Sequence, residues 1–323
     1  MDIKNQLQNL FGSRLKLDEP FAKHTNFRLG GPAKYWAEVR SEDELQKALI
    51  LAKEHSVPVF VMGGGSNLLV SDEGFSGLVL QIALRNLDIE GTKIIAGAGA
   101  LTAAVARRSA EAGLAGFEWA VGLPGTIGGA VRGNAGCFGG ETKDAVESVR
   151  VLRQGEIVDW PAADLAFGYR DSLFKHVPDA VILSVTLALS PGDAPALAAR
   201  MREILAARQT NQPKGASSAG CIFKNIELKD AATLQLFSEK NDITVPEEMI
   251  RTRRLSAGWV IDQLGLKGTR IGEAEISPAH GNFIVNLGQA TASDVVQLIS
   301  LIKTRARDEL GLALEEEIQY LGF

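Results

Sequence analysis

Apolar and polar positions along the chain change repeatedly between short buried runs and helical periods. The opening MDIKNQLQNLFGSRL reads as an amphipathic, largely polar helix. AKYWAEV (33–39) reads as a strand, and SEDELQKALILAKEHS follows as a helix whose Ser41 and Glu44 are spaced as a capping box. PVFVM (58–62) is a short buried strand that runs into Gly63-Gly64-Gly65-Ser66-Asn67. LLVSD, LVLQI (78–82) and KIIAGAG (93–99) are further strands, and LTAAVARRSAEAGL (101–114) is a helix stopped by glycine. VESVRVLR (146–153) and AVILSVTLAL (180–189) are strands, and residues 191–210 form a helix opened by Pro191-Gly192-Asp193. The remainder reads as helix (SAGWVIDQLG, 256–265), strand (NFIVN, 282–286), long helix (SDVVQLISLIKTRARDEL, 293–310) and strand (EEIQYLG, 316–322). There is no internal repeat and no steady βαβ rhythm, which predicts an α+β fold.

At roughly 150 residues per domain, 323 residues suggest two domains. The expected partition is an N-terminal helix at 1–20, a first domain at 21–192 and a second at 193–323. Glycine is the outlier of an otherwise ordinary composition: 34 residues, against roughly 23 at an average usage of about 7%. Such a surplus marks loops where backbone must come close to something. The formal charge of -5 argues against non-specific nucleic-acid binding, which needs a basic face. The start lacks the apolar core of a signal peptide, and no apolar run reaches the ~18 residues of a membrane span. Two cysteines, Cys137 and Cys221, make neither a disulfide framework nor a zinc site, so no metal is expected. A reducing cytoplasm is the simplest location.

The glycines concentrate in two places. In KIIAGAGALTAA, Gly97-x-Gly99 only imitates a dinucleotide fingerprint, because Thr102 occupies the third glycine position. Gly63, Gly64 and Gly65 let several N–H groups converge on an anion, and Ser66 and Asn67 add donors; taken alone, this is as readily a tight turn. GLAGFEWAVGLPGTIGGAVRGNAGCFGGE (113–141) carries ten glycines. Within it, Gly122, Pro124, Gly125, Thr126, Gly128 and Gly129 open a short helix whose start offers N–H groups to a phosphate. Asn134, Ala135 and Gly136 leave room for a flat ring or pyrophosphate. Two such loops suit a dinucleotide too large for one.

These loops resemble the flavin-binding domain shared with vanillyl-alcohol-oxidase-type (PCMH) enzymes. FGYRDSLFK (167–175), SAGCIFKN (218–225), AGWVIDQLGLKGTRIGEAEISPAHGNFIVN (257–286) and LEEEIQYLG (314–322) narrow the likeness. Together the motifs resemble the UDP-N-acetylenolpyruvoylglucosamine reductase (MurB) family from about Asn26 to the C-terminus. The resemblance implies a two-lobed FAD-binding domain at 21–192 and a C-terminal α+β substrate domain at 193–323. It implies that NADPH reduces non-covalently bound FAD. Hydride then passes to the enolpyruvyl ether of a UDP-sugar, and an enolate-like species is protonated, giving UDP-N-acetylmuramate for peptidoglycan.

The same resemblance assigns roles by position. Arg170 matches the family arginine, and a guanidinium suits a developing carboxylate-side charge; the alternative is a surface pair with Asp171. Glu317 matches the C-terminal glutamate; in a strand it shares a face with Glu315, while Glu316 points away. Cys221 stands where most members carry a proton-donating serine, and a thiol titrating near ~8.5 gives up a proton more readily than an alcohol. Alone, such a cysteine is most often core filler. Ile226 is a second departure, replacing a common proline. Lys224, Asn225 and His280 are implied substrate contacts. Arg251, Arg253 and Arg254 either steer anionic UDP and NADPH or are a solvated loop. FGYRDSLFKHVPDA runs straight into VILSVTLAL, which implies the compact subtype. Two other readings remain open: a flavin oxidase of the same domain type, and a nucleotide-sugar-binding protein without chemistry. None of His24, His55, His176 and His280 adjoins a glycine loop to tether flavin.

Overall fold

The computed structural model describes residues 2–323 except Gln212, Lys214, Lys229 and Asp242. Helices and strands divide between two compact units, neither continuous in sequence. The first holds the chain up to Pro20, Pro32–Gly65 and Phe75–Thr210; the second holds Phe21–Gly31, Ser66–Gly74 and Asn211–Phe323. The class is α+β.

In the first unit, Leu15–Pro20, Pro32–Val39, Phe75–Ile82 and Val59–Met62 form one sheet in that spatial order. The first pair is antiparallel and the other two are parallel. Helix Glu42–Glu54 makes the crossover that parallel pairing requires. Phe75–Ile82 is central, so its run Leu78, Val79, Leu80 is wholly buried. Val59–Met62, read from sequence as buried, lies at the sheet edge with only Met62 buried. A second sheet, antiparallel throughout, runs Glu156–Pro161, Val146–Arg153, Ala180–Ala188, Lys93–Gly97, Leu87–Glu90. Val149, Val151, Val185, Ile94 and Ile127 sit in the core of this unit with no exposed surface.

The N-terminal helix, Ile3–Phe11, is not a separate appendage. Ile3, Leu7 and Phe11, spaced four apart on one face, enter the same core. Helix Ala194–Asn211, expected to open the second domain, also belongs here through Thr210, with Ile204 buried in this core.

The second unit packs helix Ala292–Leu310 and helix Ala257–Gln263 around a core containing Val295, Leu298, Ile299 and Ile302. The strands Arg270–Ile271, Ala274–Ile276 and Ile284–Asn286 form an antiparallel sheet. The two short segments from earlier in the chain return to this unit for their hydrogen bonds. Leu68–Val70 pairs in parallel with the last strand, Gln319–Leu321. Asp72 accepts the Ala292 and Ser293 N–H groups at 2.8 and 3.1 Å, capping the long helix. Asn286 Nδ2 donates to Phe27 O at 3.1 Å. A continuous division at residue 192 would leave these backbone groups without their partners. No helix among the described residues is long and apolar enough to cross a membrane.

The expected capping box at helix Glu42–Glu54 forms in one direction. Ser41 Oγ accepts the Glu44 N–H at 3.2 Å. The Glu44 carboxylate reaches past Ser41 to the Arg40 N–H (2.8 Å) and is gripped by both terminal nitrogens of Arg14, Nη1 standing 2.9 Å from Oε2. The Arg14 bond outweighs burial and holds the Glu44 carboxyl below its ordinary range. A depressed carboxylate stabilises the fold above its unfolded value of ~4.3, and that contribution disappears as pH falls through the folded value.

Two outcomes follow from this packing. Leu7→Ala should lower stability by ~2–5 kcal/mol in denaturant titration, because the helix is part of the core. Glu44→Gln should lower stability at neutral pH and flatten its decline between about pH 5 and the depressed value, so the variant and wild type converge in acid.

Candidate active site

The strand Val59–Met62 delivers the first glycine loop against the second. A Cβ on Gly64 would lie 2.8 Å from Gly125 Cα, and one on Gly63 would lie 2.6 Å from Thr126 Oγ1. Backbone meets backbone at this point, and any side chain at 64 would part the loops. Gly125 itself adopts φ +98°, open to glycine alone at low cost. Gly65, at φ +63°, ends the first unit, and Ser66 and Asn67 begin a segment of the second. Asn67 donates Nδ2 to Glu317 O at 3.1 Å.

The second loop leads through Leu123 and Pro124 into helix Ile127–Arg132, with Thr126 as N-cap. The helix start expected to receive a phosphate is used within the protein. Ile127 N–H donates to Ala100 O at 2.9 Å, Gly128 N–H to Ala98 O at 3.0 Å, and Gly129 N–H to Thr126 Oγ1 at 3.5 Å. Thr102 N–H in turn donates to Gly125 O at 3.1 Å. Residues 97–102, the false dinucleotide fingerprint, are therefore the support of the loop. Nothing in the sequence marks them for it, since the bonds come from backbone and one threonine.

Gly122 lies against Arg208, where a Cβ would meet the side chain at 2.4 Å. Asn134 is fully buried and spends its amide internally, on Glu141 Oε2 (3.0 Å) and Gly168 O (2.7 Å), while Oδ1 accepts the Lys143 N–H (3.0 Å). Ala135 O accepts the Thr142 N–H and hydroxyl at 2.9 and 2.8 Å. Gly136 O accepts Arg170 Nη2 at 2.9 Å. Arg170 stands in a tight turn closed by two backbone bonds between Gly168 and Asp171, at φ +55° and over the Tyr169 ring. Asp171 pairs with His176 at 2.9 Å. Two features escaped the sequence reading. Cys137 Sγ accepts from Arg208 Nη1 at 3.7 Å, with burial pushing the thiol up. Trp119 Nε1 is buried with no hydrogen-bond partner among the described residues.

In the second unit, residues 221–224 run between two other segments. Cys221 lies opposite Phe283, and Phe223 opposite Glu316, in isolated antiparallel bridges. Glu317 N–H donates to Ile222 O at 2.7 Å and Lys224 N–H to Glu315 O at 2.9 Å. Cys221 and Glu317 are thus brought onto adjacent paired segments. Glu315 pairs with Lys224 at 2.5 Å, and Glu316 turns the other way to Lys303 at 2.8 Å. Lys224 is thus paired with an exposed carboxylate.

Asn225 Oδ1 accepts the Ala257 N–H at 3.1 Å, holding the start of the Ala257–Gln263 helix. His280 packs over Gly258 and edge-on to Phe283, with ring centroids 4.9 Å apart. Its Nδ1 accepts the Asn282 N–H at 3.2 Å, so a neutral ring carries its proton on Nε2. Burial pulls the His280 pKa down and keeps the ring neutral at pH 7. Arg251 and Arg254 pair with Glu248 and Glu227, and Arg253 closes helix Glu247–Thr252 at φ +53°. Ile226 pairs with Leu255 in a short ladder.

Residues 33–160 match the model of an FAD binding domain. Residues 212–321 match that of the UDP-N-acetylenolpyruvoylglucosamine reductase C-terminal domain. The class is an FAD-binding oxidoreductase. Relatives named UDP-N-acetylenolpyruvoylglucosamine reductase from Chloroflexus aurantiacus and Rubrobacter xylanophilus are each 39% identical, covering 94% and 98% of this chain and 96% and 98% of their own. The crystal structure of UDP-N-acetylenolpyruvylglucosamine reductase (MurB) from Thermus caldophilus superposes with a TM-score of 0.75 at 36% identity, over 95% of this chain and 98% of that one. The chain belongs to the UDP-N-acetylenolpyruvoylglucosamine reductase family.

The residues present fit an FAD. Gly63 and Gly64 are bare of side chains where a Cβ would meet Thr126 and Gly125 of the second glycine loop. Gly64→Ala should separate the loops and lower the flavin absorbance of the purified protein relative to its protein content. Gly133→Ala, where the nearest atom to a Cβ is 3.6 Å away, should retain it.

Proposed function

We propose that this protein reduces UDP-N-acetylenolpyruvoylglucosamine to UDP-N-acetylmuramate in peptidoglycan-precursor synthesis, with NADPH as co-substrate, in the cytoplasm. The observation that supports the reading is the pairing of residues 221–224 with 315–317, the segments that carry Cys221 and Glu317, in a chain 39% identical to reductases of that name. When bound, FAD would supply two-electron hydride chemistry between NADPH and the enolpyruvyl double bond.

The chain's own residues divide the remaining work. Gly63, Gly64, Gly65, Gly122, Pro124, Gly125, Thr126, Gly128, Gly129, Ala135 and Gly136 shape the loops that would hold FAD, with Ser66 and Asn67 following the first loop. Asn134 would act by shaping its loop, because its amide is already bonded. Arg170, anchored on Gly136 O, would set a permanent positive charge against the carboxylate where negative charge develops. Cys221 Sγ–H would give its proton to the substrate carbon next to that carboxylate. Glu317 would orient the reacting end. Neutral His280 would offer Nε2–H to a substrate oxygen, and Lys224 and Asn225 complete the polar lining.

Purified protein should be yellow and should oxidise NADPH only when the enolpyruvyl UDP-sugar is present; oxidation indifferent to that substrate would sink the reading. Cys221→Ala should leave NADPH-driven flavin reduction intact and slow reoxidation by substrate by ~10²–10⁴-fold, the range of a lost general acid. An active Cys221→Ser variant would show that thiol and hydroxyl are interchangeable there.

A further inference from the structure

The stretch that carries Cys221 is not a regular strand, so few contacts decide where it lies. On one side Glu317 N–H bonds to Ile222 O. On the other, a single residue takes three bonds. Asn282, 2% exposed, accepts the Phe223 N–H through Oδ1 at 2.9 Å and donates Nδ2 to Phe223 O at 2.8 Å. Its main-chain oxygen accepts the Ile222 N–H at 2.9 Å. The side-chain amide imitates the edge of a neighbouring strand, one donor and one acceptor in a plane, where the backbone itself cannot reach. Without it two buried backbone groups at Phe223 lose their partners, and the chain must shift to recover them.

We propose that Asn282 is a positioning residue of the reaction: it fixes Cys221 relative to Glu317 so that the thiol proton meets the substrate. This rests on the reading of Cys221 and Glu317 given above. Asparagine is required by the bonding pattern. A carboxylate only accepts and would face the Phe223 carbonyl, whereas leucine of similar size offers nothing.

The test uses the flavin-loaded protein and the variants Asn282→Leu and Asn282→Asp. Three rates are followed: flavin reduction by NADPH, anaerobic reoxidation by the enolpyruvyl UDP-sugar, and iodoacetamide alkylation of Cys221 resolved from Cys137 by mass spectrometry. In Asn282→Leu, reoxidation should slow about 10–100-fold, as a displacement near 1 Å costs. NADPH reduction should stay within about twofold, since proton delivery contributes only to the other half-reaction. Cys221 alkylation should accelerate severalfold while Cys137 does not change. In Asn282→Asp, a protonated carboxyl restores one donor and one acceptor, so reoxidation should recover as pH falls through that group's titration, a recovery absent in wild type.

Unchanged reoxidation in a folded variant overturns the proposal, as does equal slowing of both half-reactions. If Asn282→Leu does not fold, the pH profile of Asn282→Asp decides, and a flat profile overturns it. If wild type is not reoxidised by the substrate, the proposed function fails instead. The alkylation rates then judge Asn282 separately, and equal rates at Cys221 in wild type and variants overturn its role.

Discussion

Backbone hydrogen bonding is the constraint on which this molecule turns. Its functional segments are irregular, so their N–H and C=O groups cannot be satisfied along a helix or ladder and must find distant partners. The turn at 123–129 is tied to Ala98, Ala100 and Thr102. The stretch 221–224 is tied to Asn282 and to 315–317. Residues 66–74 leave the unit that precedes them because Leu68–Val70 pairs with Gln319–Leu321 and Asp72 caps a helix more than 200 residues later. Each tie fixes a piece of the site at the cost of continuity in sequence.

The same constraint explains why some conspicuous residues are scaffolding. Asn134 has the polarity of a ligand contact but spends it on Glu141, Gly168 and Lys143. The start of helix Ile127–Arg132 has the polarity of an anion site, yet its first N–H groups are occupied. What the glycine loops retain is shape: two stretches of bare backbone held in contact at Gly64 and Gly125. The Arg170 guanidinium is anchored on Gly136 O, beyond the helix that follows the second loop. In the second unit, Glu315 pairs with Lys224 and Glu316 with Lys303.

Much of the fold was legible because strong local signals agree with it. Val146–Arg153 was expected from its apolar run and forms as read; Ala292–Leu310 begins one residue early and keeps its predicted end. The edge strand Val59–Met62 was misjudged because an apolar run does not reveal whether a neighbour covers it on each side. Helix Ala194–Asn211 was placed in the wrong unit for a related reason: a boundary drawn at Pro191-Gly192-Asp193 marks where a helix starts, not which core takes its apolar face.

Sequence alone determined the α+β class, the two glycine-rich loops and the family, because these depend on residue types at short spacings that survive in one dimension. Tertiary structure alone decided which polar atoms remain for chemistry. Asn282 looked like one residue of a strand, and residues 97–102 looked like a failed nucleotide motif. Both gained their significance from carbonyls and N–H groups far away in the chain, and hydrogen-bond partners of that kind leave no periodic trace in a sequence.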